Sequence, residues 1–141
     1  MKVFIDESTL NYQLVEKFVE DQIGIINLTD MNNKIDFRIV ENHLKLVNNC
    51  PNIYCLYTRI DQVWNLIYVG QRKRGAIRAR LRQHLIKKHV RTGSKLQKIS
   101  NHLENGFSMG LKTISIDPDE LRQYYENKLI MDFKPVWNIH R

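Results

Sequence analysis

Two runs of β-branched and aromatic residues near the middle of the chain, Ile53-Tyr54-Cys55-Leu56-Tyr57-Thr58 and Leu66-Ile67-Tyr68-Val69, are separated by seven residues, polar around Val63-Trp64. That pattern predicts two strands and a hairpin with a longish loop. The hairpin fixes the fold class, because the segments on either side of it carry helical spacing. Before it, residues 7–22 place Leu10, Leu14, Phe18 and Ile23 on one stripe. After a polar stretch over Asn27–Asn33, Asp36–Val47 does the same with Ile39, Val40, His43, Leu44 and Val47. Pro51 stops that helix, since the residue before a proline avoids helical geometry.

After the hairpin, Gly70 closes the second strand and Gln71–Gly75 forms a basic loop. Ala76–Val90 reads as a helix on Ile77, Leu81 and Leu85. Ser94 caps another through Leu96, Ile99 and Leu103, ending at Asn105-Gly106. Met109–Ile116 supplies a third strand. Asp117-Pro118-Asp119-Glu120 is the sharpest helix start in the chain, with Asp117 as cap, Pro118 as first helical residue and Glu120 completing a capping box. That last helix buries Leu121, Tyr125 and Leu129, reaches about Phe133 and stops at Pro135. The expectation is an α+β domain: a small antiparallel three-stranded sheet flanked by helices, preceded by two accessory helices. Residues 1–50 would be a helical extension of the same compact unit, and 51–141 its main domain.

Charge placement narrows the function. Between Asp61 and Glu104 there is no carboxylate, yet that stretch holds eleven of the 22 Lys and Arg: Arg72, Lys73, Arg74, Arg78, Arg80, Arg82, Lys87, Lys88, Arg91, Lys95 and Lys98. Residues 1–50 carry a local charge of −3 and residues 104–141 of −1, so the whole net +7 comes from the middle. A positive strip without acid partners of its own points to polyphosphate, hence nucleic acid. Cys50 and Cys55 lack metal-type spacing and read as two reduced thiols. The first residues lack the apolar run of a signal peptide and nothing approaches a membrane span, so the expectation is a soluble, cytoplasmic protein with no membrane partner.

Five short motifs then fall in order: Asn52-Ile53-Tyr54, Tyr68-Val69-Gly70, Arg80-Leu81-Arg82-Gln83-His84, Glu126, and Pro135-Val136-Trp137-Asn138. Each alone is weak. Together, over Asn52 to Asn138, they resemble the GIY-YIG nuclease superfamily, most closely its restriction-type and small phage endonucleases. Asn52 departs from the pattern, standing where the family's first motif has glycine; the expected cost falls on backbone fit rather than on chemistry.

The resemblance implies a DNA endonuclease using one Mg²⁺, with Mn²⁺ as a substitute. Tyr54 takes the family's place beside the attacking water, as its proposed general base, and Tyr68 holds hydrogen-bond geometry. A phenol with a pKa near ~10 is a poor base unless nearby cations favour its phenolate. Arg80 clamps the scissile phosphate with a permanently charged fork. His84, one turn later, either relays a proton or orients Tyr54. Glu126 corresponds to the family's sole protein ligand for the divalent cation, a role that suits an ion content with retained waters and phosphate oxygens. Asn138 braces the site. Around it, Arg72, Lys73, Arg74, Arg78, Arg82, Lys87, Lys88, Arg91 and Lys95 are the expected contacts to double-stranded DNA.

One site per chain and two strands to cut imply a dimer or tetramer, with the N-terminal helices as the contact. Taken singly, each motif residue has an ordinary structural explanation: strand tyrosines, a surface glutamate paired with Arg122 or Lys128, a chain-end cap. His43, His89, His102 and His140 read as structural or solvated, and Trp64 and Trp137 as packing. The alternative function is a non-catalytic nucleic-acid-binding or interference protein on the same fold. RNA stays open as a substrate, since phosphate recognition does not distinguish the sugar.

Overall fold

The computed structural model describes residues 2–4, 10–47, 50–86 and 95–138. Its strands are β1 (Lys2–Phe4), β2 (Ile26–Asn27), β3 (Ile53–Ile60), β4 (Val63–Gln71) and β5 (Ser108–Asp117). Its helices are α1 (Leu10–Glu20), α2 (Phe37–Leu46), α3 (Ile77–Leu85), α4 (Leu96–Glu104) and α5 (Arg122–Phe133). The class is α+β, as expected, but the sheet exceeds three strands. β2, β5, β3 and β4 lie side by side antiparallel, and β1 joins the same outer edge of β5 in parallel. Both additional strands come from the first 50 residues, which are therefore hydrogen-bonded into the sheet.

The hairpin is tighter than its sequence suggests. β3 and β4 are joined by Asp61-Gln62, both with positive φ (51° and 68°). That backbone suits the right-handed twist of paired strands. Val63 and Trp64, expected in a loop, instead pair with Ile60 and Arg59. The register then slips: Leu56 faces Tyr68 but Tyr57 faces Leu66, leaving Ile67 as an extra residue on β4. This bulge breaks the strict alternation of β4, so Ile67 and Tyr68 both pack into the core on the Tyr54 face while Leu66 packs into the other.

Two cores follow from the two faces. On one, Tyr54, Leu56, Met109 and Leu111 pack against Val40 of α2, Ile77, Leu81 and Leu85 of α3, and Ile99 of α4. On the other, Ile53, Cys55, Tyr57, Ile114 and Ile116 pack against Val15 and Val19 of α1 and Tyr125 and Leu129 of α5. The sheet thus lies between α2, α3 and α4 on one side and α1 and α5 on the other.

In α1 the inward stripe is Val15 and Val19, not the expected Leu14 and Ile23, which are 46% and 82% exposed. Buried Lys112 explains this helix's anchorage: its Nζ donates to the carbonyls of Phe18 and Asp21 (2.5 and 2.6 Å), satisfying acceptors at the helix's C-terminal end. The Tyr57 hydroxyl donates to the carbonyl between them, Val19 (2.7 Å). The inward residues of α1 and α2 are buried in the chain's own cores, whereas Leu14 of α1 and Leu46 of α2 stay 46% and 80% exposed.

Asp36 caps α2, accepting the Arg38 amide at 3.1 Å. Asp117 does not cap α5. It remains in β5 with its carboxylate 3.3 Å from Arg74, and Pro118 is extended (ψ 158°). A 3-10 turn over Asp119–Leu121 intervenes before α5 begins at Arg122. Cys50 and Cys55 are both free thiols. Among the described residues no helix is long and apolar enough to cross a membrane. Ser94 and the expected last turn of the Ala76–Val90 helix lie outside the described residues.

Candidate active site

α3 positions two of the expected residues because its buried face is wider than its apolar stripe. Ile77, Leu81 and Leu85 hold the helix to the sheet; full burial of a leucine such as Leu81 contributes about 1.5–3 kcal/mol. Arg80 and His84, one turn apart, point into the same interface and are 6% and 0% exposed. Opposite them stand the two tyrosines, brought to one face by the register that sets Leu56 against Tyr68. The Tyr54 and Tyr68 rings lie 6.1 Å apart, and His84 is 5.7 Å from one and 5.4 Å from the other. Lys95 places its ammonium 5.3 Å over the Tyr68 ring.

Gly70 makes room for this packing. It pairs with Tyr54 across the hairpin, and the Tyr54 ring crosses directly over it. A Cβ at position 70 would stand 2.3 Å from both Cζ and Oη of Tyr54, closer than any side chain tolerates. The glycine of the Tyr-Val-Gly motif is thus required by the phenol's path rather than by a turn.

Hydrogen bonds fix the protonation of His84. Its Nδ1 accepts the backbone N–H of Lys95 at 2.8 Å, so Nδ1 carries no proton. Burial, reinforced by the positive charges of Arg80, Lys95 and Arg72, pushes the imidazole down to about 3, so the ring is neutral. Its one proton therefore sits on Nε2, which donates to Tyr54 Oη at 2.9 Å. Of the two roles expected for His84, this arrangement supports orienting Tyr54; relaying a proton would require a charged ring that burial disfavours. The Tyr54 phenol is itself raised above its ordinary value, first by burial and then by Tyr68. The charge and hydrogen bond of Arg80, and the charge of Arg72, pull the other way but do not outweigh burial. The phenolate expected to be favoured by nearby cations is thus disfavoured in the free chain.

Asn138 and Glu126 come from elsewhere. Asn138, in a 3-10 turn after α5, accepts the Val69 amide (2.8 Å) and donates to the Val69 carbonyl (2.9 Å). It acts as a one-residue strand on the edge of β4, directly after Tyr68. Glu126 is half-buried on α5, between Tyr125 and Leu129, whose side chains enter the core on the far face of the sheet. Arg122, one turn earlier, reaches Gln71 at the end of β4 (2.8 Å), so this margin of α5 runs toward the β4 edge. Among the described residues no three His, Cys, Asp or Glu side chains cluster.

The basic strip is less free than its sequence implies. Arg78 meets Glu41 of α2 at 2.8 Å, and Arg74 meets Asp117 and the Ile116 carbonyl (2.7 Å). Acids from both ends of the chain thus neutralise part of it. Lys73 and Arg82 are exposed, Arg72 half-buried with its guanidinium on the Gln71 carbonyl; Lys87, Lys88 and Arg91 lie outside the described residues. A groove of about 540 Å³ between the loop at Asn32–Ile35, the end of α3 and α4 does not include the ring cluster in its lining.

Several participants were not singled out from sequence. Thr113 lies opposite Tyr54 on β5, and its hydroxyl is 2.6 Å from His43 Nε2 on α2. The neighbour relation depends on strand register, which leaves no local signal. Asn52, expected to strain the backbone, is completely buried and fully engaged through its amide: Oδ1 accepts the Ile116 amide (2.8 Å) and Nδ2 donates to the Ile116 carbonyl and Asp119 (both 2.9 Å). Of the other histidines, His102 packs edge-on against Trp137 (5.1 Å), and His89 and His140 lie outside the described residues. Trp64 packs over Gly110, under the Arg59 guanidinium (4.9 Å).

Comparison of the chain with protein-family models, curated proteins and solved structures finds no match.

Proposed function

We propose that this chain is a metal-dependent endonuclease that hydrolyses DNA phosphodiester bonds, built on a GIY-YIG-like plan. The supporting observation is the convergence of Tyr54, Tyr68, Arg80 and His84, from two strands and a helix, on one face of the sheet, with Tyr54 Oη 2.9 Å from His84 Nε2. In this reading Arg80 offers paired donors to the scissile phosphate, and the neutral His84 holds Tyr54 Oη beside the attacking water. Tyr54 gives its phenol proton to solvent, and the phenolate then takes a proton from the attacking water as the water oxygen bonds to phosphorus; the P–O bond to the leaving group breaks and the alkoxide takes a proton from solvent. Glu126 would hold the divalent cation, Mg²⁺ or Mn²⁺, which when bound would supply positive charge to the reacting phosphate. Lys73, Arg82 and the neighbouring cations track the DNA backbone, and two copies of the chain cut the two strands.

The complete burial of Tyr54 and its raised phenol favour a second reading, a nucleic-acid-binding protein that keeps the fold without the chemistry. Incubating purified protein with supercoiled plasmid, with and without Mg²⁺, separates the two. Nicking that needs Mg²⁺ and is abolished in Glu126→Ala supports the nuclease. Binding without cutting under any divalent metal supports the second reading, and cutting that persists in Glu126→Ala removes Glu126 from the mechanism.

A further inference from the structure

From the hydrogen bonds around Asn52 we infer that Asn52 and Asp119 form a positioning pair that holds the basic loop Arg72–Gly75 in place for the DNA backbone. The inference rests on the nuclease reading and adds to it two residues that were not among the expected catalytic or DNA-contact residues. Asn52 sits just before β3, wholly buried, and its amide ties Ile116 at the end of β5 to Asp119 in the turn before α5. Its backbone carbonyl accepts the Arg72 amide at 3.0 Å. Asp119 extends the network in two directions. Its Oδ1 accepts the Arg74 amide (3.3 Å) as well as Asn52, and its Oδ2 accepts Arg122 Nη1 (2.7 Å), while Arg122 Nε grips Gln71 (2.8 Å). The Ile116 carbonyl, already bonded to Asn52, also accepts Arg74 Nη2 (2.7 Å).

The loop is therefore fastened at Arg72 and Arg74 from the inside. Arg74, expected to be a DNA contact, is exposed and at the same time bonded to Asp119, Asp117 and the Ile116 carbonyl. Between these fastenings Lys73 is exposed, and a turn closed by Ala76 N–H on the Lys73 carbonyl (3.1 Å) brings the chain into α3 through Gly75 at φ +85°. A glycine at position 52, as in the family's motif, has no side chain with which to make this network. The loop would then keep the Arg72 bond to the backbone carbonyl at 52 and the bonds of Arg74, but Asp119 and Ile116 would lose the amide that ties them together. The network also joins the start of α5, the helix that carries Glu126, to the ends of β4 and β5.

Asn52→Ala deletes the three side-chain bonds. Asp119→Ala, at a half-buried position, removes the same anchor with less disturbance of the core and serves if the first variant fails to fold. Amide hydrogen exchange, read residue by residue, is expected to speed up about tenfold or more at Arg72 and Arg74 in either variant, with Val69 unchanged. The dissociation constant for duplex DNA is expected to rise about tenfold with a shallower salt dependence, while kcat at saturating DNA stays within about threefold of wild type. Unchanged exchange at Arg72 and Arg74 overturns the positioning role. A fall in kcat with unchanged DNA affinity overturns the assignment to DNA binding. The exchange result does not depend on cleavage, so a wild type that neither binds nor cuts DNA removes the nuclease reading, and the DNA half of this inference with it, while the exchange still decides whether the pair holds the loop.

Discussion

Replacing Gly70 with alanine puts the site's packing under direct test. The added Cβ would stand 2.3 Å from Tyr54 Cζ and Oη and 2.8 Å from Cε1, whereas ordinary contact begins near 3.4 Å. The ring must therefore retreat by about 1 Å, or the hairpin must part by as much. Tyr54 has no empty side to move into: it is fully buried, bonded to His84 and packed against Tyr68. Overpacking of this kind costs about 1–3 kcal/mol, or roughly 4–12 °C in Tm for a chain of this size. If Tyr54 serves the chemistry proposed, a displacement of about 1 Å lowers cleavage about a hundredfold. Thermal unfolding supplies the first number and plasmid cleavage the second. Tyr54→Leu provides the control: with the phenol gone, Gly70→Ala should cost at least about 1 kcal/mol less than in the wild type, a coupling expected of residues in contact. Equal destabilisation in both backgrounds would refute the reasoning, since the clash would then lie elsewhere.

Asn138→Ala leaves the buried Val69 N–H and C=O without their partners and should destabilise by about 2–4 kcal/mol, read from the urea midpoint; a loss under 0.5 kcal/mol, by the usual scale of surface changes, would mean that water replaces the amide. His84 makes stability depend on pH in a defined direction. Folded, the ring stays neutral down to about 3, while an unfolded histidine takes up a proton near 6.5. Between those values the unfolded chain binds more protons, so stability falls as pH falls, with a slope approaching about 1.4 kcal/mol per pH unit. His43 and His102, also held down by burial, add to the same slope. His84→Gln should flatten the dependence by one proton's worth in denaturation between roughly pH 4.5 and 7. Parallel curves for the variant and wild type would show that His84 is not the group responsible.

What the sequence disclosed and what it hid divide along the range of the interactions. The helices were legible because their periodicity is local: α2, α3, α4 and α5 lie where Val40, Leu81, Ile99 and Leu129 recur at helical spacing. β1 and β2 were invisible because strands of three and two residues carry no pattern; only their partner β5 defines them. The turn at Asp61-Gln62 lacks the glycine that usually marks positive φ, so the sequence predicts a longish loop where the chain turns on two residues. The bulge at Ile67 depends on register, yet it decides that Tyr68 joins Tyr54. The motif residues could be found one by one. The fit of Asn52, in contrast, depends on Ile116 and Asp119, 64 and 67 positions away, and leaves no local signal.

The chemistry turns on Tyr54, and here the electrostatics run against a simple account. Burial raises the phenol more than Arg80 and Arg72 lower it. A DNA phosphate brought beside Oη carries negative charge and pushes in the same direction as burial, so substrate alone makes the phenolate harder to reach. Nor can His84 help by taking the proton, because its Nδ1 is committed to the Lys95 amide and its Nε2 already carries one. It can only donate, which favours the phenolate once formed. The remaining source of compensation is positive charge added with the substrate, and the only expected ligand for it, Glu126, stands on the helix of the opposite layer at the β4 margin. In the nuclease reading Glu126 would hold the cation, whose positive charge would offset that of the phosphate, while Tyr54 itself is, in the free chain, a buried phenol oriented by His84. In the binding-protein reading no such compensation is needed, and Tyr54 is a core phenol whose neighbours satisfy it.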